Sequence, residues 1–186
     1  MKVLGLSGSL RRDSLNSTLL RAAAAELGAG VRFVEFDGLG ALPPYSEETD
    51  VPEVNGPVRA LREAIAEADA LVIATPEYNG SVPGQLKNAV DWASRPYGEA
   101  SLQGKPVAVI GASISPYGAK WAQADLRRVL GIAGAAPLER DLPVGAAAEA
   151  FDAEGRLVSE ELRTGLADEL GELRRAVANR RGSAVS

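Results

Sequence analysis

The sequence contains no cysteine and no histidine. Without cysteine there is no disulfide framework, no thiol nucleophile and no thiolate zinc site; a reducing compartment, the cytoplasm, is the expected location. Without histidine the commonest general base is missing. Chemistry is left to carboxylates, hydroxyls, oxygen-bound metal or a bound cofactor. No run of about 18 apolar residues occurs, so no membrane partner is expected. One lysine ahead of a short apolar stretch does not read as a secretory leader. Lys and Arg number 20 against 25 Asp and Glu, for a net charge of −5, and form no long basic stripe, so nucleic acid is not an expected partner.

What is present suits one globular domain over residues 1–186, with 46% hydrophobic and 24% charged residues. Short apolar runs alternate with helical periodicity. Val3–Leu6, Val31–Phe36, Ala70–Ala74 and Val107–Ile110 read as strands, the last two apolar enough to be buried on both faces. Ala135 to Leu142 is the fifth candidate, and Pro137 and Arg140 suit it to an edge. Helices are expected from Leu15 to Leu27 with Ser14 as cap, from Pro57 to Ala68, and from Pro83 through Ala93 with Ser81 as cap. Two more are expected over Lys120–Leu130 and Glu160–Asn179, with a short one over Ala146–Ala150. This rhythm predicts a doubly wound, five-stranded parallel α/β sheet of order 2-1-3-4-5. Gly38 to Gly56 is long for a connection and reads equally as a lid, a partner surface or a loop packed across the sheet edge.

In such a sheet, ligands sit beyond the carboxyl ends of the strands. Three loops there carry the unusual residues. Ser7 to Asn16 combines hydroxyls, Gly8, Arg11 and Arg12 just ahead of a helix, the parts needed to hold a phosphate monoester. It is neither a Walker A loop nor a GxGxxG turn. Pro76-Glu77-Tyr78-Asn79-Gly80 closes on Asn-Gly, which permits positive φ and can present backbone groups and one aromatic ring to a flat ligand. Glu77 has no second carboxylate nearby in sequence, which disfavours paired acid–base work. Gly111 to Gly118 repeats the mixture of glycine, serine and one aromatic, Tyr117. Other classes remain open on these residues alone: a dehydrogenase with Asp37 on a ribose, or a non-catalytic α/β interaction module.

Gly8-Ser9-Leu10-Arg11 with Ser14 and Asn16, the run from Pro76 to Trp92 almost throughout, and Gly111-Ala112-Ser113 with Ala122-Gln123 and Leu126-Arg127 together resemble the NADPH-dependent FMN reductase family. That family has a flavodoxin-like fold and includes reductases of quinones, azo dyes and chromate. The resemblance implies non-covalent FMN, with Ser9, Arg11, Asn16 and Ser17 on the 5′-phosphate. Pro76, Glu77, Tyr78, Asn79 and Gly80 would run along the isoalloxazine ring, with Ser113 closing the other side. It implies hydride transfer from NADPH or NADH through flavin N5 to a small acceptor, with no catalytic side chain required. A homodimer or homotetramer with the flavin near the dimer interface is also implied. An FMN-binding electron carrier or redox sensor without efficient NAD(P)H turnover is the alternative. Ser115, Ala119 and Trp121 depart from the family pattern, standing where Gly, Gly and Arg are usual.

Overall fold

Two strands are buried along their whole length. In the computed structural model, which describes residues 1–51 and 56–183, every residue of β3 (Ala70–Thr75) and β4 (Pro106–Ala112) is buried. β1 (Lys2–Ser7) lies beside β3, and β2 (Arg32–Phe36) is the half-exposed edge. β5 (Ala136–Pro137) and β6 (Leu142–Val144) are short segments on the far side of β4. All pairings are parallel and the order is β2-β1-β3-β4-β5, which is the flavodoxin-like, doubly wound arrangement.

Five helices cover both faces: α1 (Leu15–Leu27), α2 (Pro57–Glu67), α3 (Gly84–Ala93), α4 (Lys120–Ile132) and α5 (Glu160–Ser183). The two-residue period of the strands divides the core. Val72, Ala74 and Ile110 face Leu19 and Leu20 of α1 and Leu170 of α5. Leu71, Ile73 and Val109 face α2, α3 and α4 through Leu61, Leu86 and Leu126. Each such aliphatic side chain stabilises the fold by about 1.5–3 kcal/mol on full burial. Both faces must be covered because both faces of every central strand are apolar.

Three expectations change. The fifth strand is not continuous over Ala135–Leu142 but splits into β5 and β6, which pair with opposite ends of β4. Pro137 has no N–H to continue the ladder. Glu139 and Arg140 are exposed, and the Arg140 carbonyl accepts from Arg127 at 3.3 Å. Ala146 to Ala150 forms bends and turns rather than a helix, and Ala146 itself sits at φ 45°. Ser14 does cap α1, accepting the Ser17 N–H at 3.4 Å. Ser81 does not cap α3: its hydroxyl donates instead to Asp125 on α4, at 2.7 Å.

The segment after β2 is a strap fixed to α3. Gln85 donates to the carbonyls of Leu39 and Leu42 at 2.7 and 3.0 Å. Asn88 accepts the Tyr45 N–H at 2.7 Å and donates to the Pro43 carbonyl, which the Trp92 indole N–H also reaches at 2.8 Å. Arg62 of α2 pairs with Asp50 at 2.7 Å. The described part of the segment is thus tied to α2 and α3 at several points. Residues 52–55, the rest of that segment, lie outside the described residues.

Candidate functional site

The register of the central strands sets the site. Ser7 lies opposite Ala74, and Thr75 opposite Gly111, so the loops after β1, β3 and β4 leave the sheet side by side. The chain runs from β1 outward to β2 and then returns to β3. The first loop therefore feeds α1 on one face and the second feeds α3 on the other. The space between them is the switch point of the sheet, where open α/β sheets bind their ligands.

The first loop is drawn against the second. The Gly8 N–H donates to the Ala74 carbonyl at 2.8 Å, and a Cβ at Gly8 would come within 2.7 Å of Leu86 Cδ2. Hydroxyls then gather at the start of α1. Ser17 Oγ donates to Ser7 Oγ at 2.9 Å, Ser7 Oγ accepts the Ser9 N–H, and Ser9 Oγ accepts the Arg11 N–H, the last two at 3.4 Å. The Arg11 side chain is exposed. The first helical carbonyl to be used is that of Ser14, by Thr18 N–H at 3.0 Å. The N–H groups of Leu15 and Asn16 therefore precede the intrahelical ladder and point outward with the positive end of the helix dipole. Three hydroxyls, helix N–H groups and the exposed Arg11 guanidinium suit a phosphate dianion.

Asn16 differs from the other three expected phosphate contacts. Its amide turns inward, donating to the Ala112 carbonyl and accepting the Ala112 N–H, both at 2.9 Å. The side chain thus joins α1 to the end of β4 and leaves its backbone N–H facing the loop. Ser7, whose hydroxyl links Ser9 and Ser17, belongs to the cluster and was overlooked as a site residue; a serine closing an apolar strand was the available signal.

The second loop is a tight hairpin. Tyr78 and Ser81 exchange N–H to carbonyl bonds at 3.1 Å in both directions, around Asn79 at φ 53° and Gly80 at φ 74°. Two positive φ values in succession make the primed turn that Asn-Gly favours. Tyr78, Asn79 and Gly80 are exposed, and no atom lies within 4 Å of a Cβ built at Gly80, so the turn presents an open edge. Pro76 is buried beneath it. Glu77 points elsewhere. Its carboxylate accepts the N–H groups of Trp121 and Ala122 at 3.0 and 3.1 Å, capping α4 from another loop. The residue before α4, Ala119, lies at φ 59° with no capping side chain of its own. Glu77 is therefore engaged as a helix cap and not poised as an acid.

The third loop closes the opposite side. Ser113 Oγ accepts the Ser115 N–H at 3.2 Å and donates to Ser115 Oγ at 3.1 Å, while the Ser113 backbone joins β6 through Val144 at 3.0 Å. Gly118 at φ 59° cannot carry a side chain, since a Cβ would stand 2.4 Å from the Pro143 carbonyl carbon. Fully buried Gln123 frames this loop. Its amide donates to the Gly118 carbonyl at 2.9 Å and accepts the Leu142 N–H at 3.1 Å. A polar residue beside Ala122 and Leu126 on the inward face of a helix was the cue for such a bond. Among the described residues no cluster of three or more carboxylates could hold a metal ion. No described helix is long and apolar enough to cross a membrane.

Comparison with known proteins gives a consistent picture. Residues 1–149 match a family model described as NADPH-dependent FMN reductase. The chain is 41% identical over 183 residues to an NAD(P)H-dependent FMN reductase of Pseudomonas aeruginosa, covering 98% of each chain. To a 2-hydroxy-1,4-benzoquinone reductase of a Burkholderia species it is 42% identical over 166 residues, 88% of each. Among solved structures it resembles the flavoenzyme NAD(P)H:(acceptor) oxidoreductase FerB of Paracoccus denitrificans. The TM-score is 0.79 at 37% identity, over 95% of each chain.

Proposed function

The chain belongs to the NADPH-dependent FMN reductase family, and from that premise we propose that its three-loop site holds FMN and that it reduces a quinone-like or other small acceptor with NADH or NADPH. It is an oxidoreductase of this family. The observation that carries the assignment of the site is the cluster of Ser7, Ser9 and Ser17 hydroxyls at the N-terminus of α1, next to the open Tyr78–Ser81 turn. A phosphate fits the first and the edge of a flat ring fits the second.

FMN, when bound, supplies the redox chemistry by taking a hydride from the nicotinamide and passing two electrons on. The protein's part is to hold and orient. Ser9, Ser17, the N–H groups at the start of α1 and Arg11 take the phosphate. Asn16 contributes its N–H and keeps α1 pinned to β4. The exposed Tyr78-Asn79-Gly80 turn would border the ring, with the N–H groups of Asn79 and Gly80 as backbone donors toward it. Pro76 and Glu77 position that turn from below and from α4, and Ser113 borders the opposite side. No histidine or cysteine is needed by this division of labour.

Several companion readings rest on the same premise. Residues 1–186 form one domain, and the protein works in the cytoplasm as a homodimer or homotetramer. A shallow groove of about 610 Å³ between α3 and α4 has exposed Tyr97 and Ile132 on its walls and is the surface that suits self-association.

Binding of FMN and of riboflavin, followed by flavin absorbance, tests the site. Arg11→Ala should weaken FMN by about 1.5–3 kcal/mol, the scale of a charged hydrogen bond, and leave riboflavin nearly unaffected because it lacks the phosphate. Equal loss for both ligands would refute the phosphate assignment. Bound FMN without NADH or NADPH oxidation would instead point to an electron carrier.

A further inference from the structure

Nine large apolar side chains are exposed among the described residues, and five of them (Leu10, Tyr78, Ile114, Tyr117 and Trp121) stand on the three loops or the first turn of α4. Two of these hold each other. The rings of Tyr117 and Trp121 lie 4.9 Å apart between centroids, tilted by 56°, yet are 58% and 50% exposed. Their backbones are fixed as well. Tyr117 N–H reaches Ser115 Oγ at 3.4 Å, the Tyr117 carbonyl accepts Lys120 N–H at 3.2 Å, and Trp121 N–H donates to Glu77 at 3.0 Å. Glu77 immediately precedes Tyr78, itself 50% exposed, and Ser81 is joined to Asp125 on the same helix. The aromatic pair is thereby locked to the loop that borders the proposed ring site.

We propose that Tyr117 and Trp121 form a preset stacking wall that selects flat aromatic acceptors over small inorganic ones. This rests on the FMN reading above. Large rings left half open to water are an unfavourable surface unless something flat covers them. A ring already held in place loses little freedom when a second ring stacks on it. Stacked or tilted aromatic pairs gain energy beyond area burial, and a one-ring or two-ring quinone offers the face they need. An inorganic oxyanion or metal–cyanide complex offers none. In the turnover, NADH or NADPH gives up a hydride and the quinone leaves as hydroquinone, taking one further proton from water.

The chain has two tryptophans, and the other, Trp92, is 1% exposed, so Trp121 can be read directly by fluorescence. Anthraquinone-2-sulfonate, titrated into the FMN-loaded protein, should quench a saturable component that Trp121→Phe removes. In steady state with NADH, Tyr117→Ala and Trp121→Ala should each lower the ratio of kcat/KM for menadione to kcat/KM for ferricyanide about tenfold, while Trp121→Phe keeps most of it. FMN binding by the same proteins is measured alongside. If the wild-type protein takes up no FMN, the parent reading fails and the wall with it. If FMN binds but the ratio does not move, or quenching is only collisional, the wall alone is refuted. A variant that leaves the ratio unchanged but lowers the sedimentation coefficient would show that this face meets a second copy of the chain, which also overturns the proposal.

Discussion

Glu169 gives the sharpest test of the fold's energetics. It lies on α5 with no solvent exposure, and neither carboxylate oxygen has a hydrogen-bond partner among the described residues. The nearby guanidiniums are engaged elsewhere. Arg140 is 3.6 Å from Asp168 and 3.9 Å from Glu172, and Arg127 is paired with Asp141. Burial, aided by the charge of Glu172, pushes the Glu169 carboxyl up to about 7 from its ordinary 4.5, against the pull of Arg140 and Arg127. The folded protein therefore keeps a proton on Glu169 that the unfolded chain releases as pH rises above 4.5. Stability should fall from that pH until about 7 and then level off, since both states are ionised above it. The full loss is about 3 kcal/mol, or about 6–12 °C in melting temperature for a chain of this size. Glu169→Gln cannot ionise. Its own packing cost is the same at every pH, so the difference in melting temperature between variant and wild type should move in the variant's favour by about that amount between pH 5 and pH 8. Calorimetry or thermal circular dichroism at the two pH values measures it. A difference that does not change with pH, or that turns against the variant at pH 8, would mean that Glu169 is ionised in the folded state and held by Arg127 or Arg140.

Two other substitutions probe the ties around the site. Glu77→Ala removes the cap of α4 and should lower stability by about 1 kcal/mol in urea unfolding, whereas Glu77→Gln retains an acceptor oxygen and most of the stability. Equal losses would show that the charge, not the acceptor, holds the helix. Asn16→Ala strands the buried N–H and carbonyl of Ala112 and should cost roughly 2–4 kcal/mol in the same assay.

The sheet order and the buried faces of β3 and β4 were legible because periodicity reports burial, and burial is what those strands are for. A fifth strand at the edge was legible too, through Pro137, but its division into β5 and β6 was not, since the residues between them are held by Arg127 and Gln123, which arrive from α4. Local pattern cannot see a side chain from another helix. The same holds for Glu77 and Ser81. Each looked like a residue of its own loop, and each bonds to α4, more than 40 positions away. Glu169 follows the opposite logic: it shares a face with Leu166 and Leu173, and a period-based reading passes over a carboxylate on the inner face because burying one is costly.

Ala119 connects the departures from the family pattern to the geometry. Its φ of 59° lies where a side chain is strained by about 1–2 kcal/mol, which gives a physical reason for glycine to be usual there. The strain persists because both sides of the position are held: Gly118 against Pro143 and accepting from Gln123, and the first turn of α4 under the Glu77 carboxylate. The turn that Ala119 makes brings together Tyr117, two residues before it, and Trp121, two residues after it in the first turn of α4. Polar side chains of the second and third loops thus serve mainly to fix those loops to α4 and β6. What remains turned outward is backbone, hydroxyl and aromatic surface. Such a surface can hold and orient a cofactor and a flat partner, which is the division of labour expected where a bound redox group carries the chemistry.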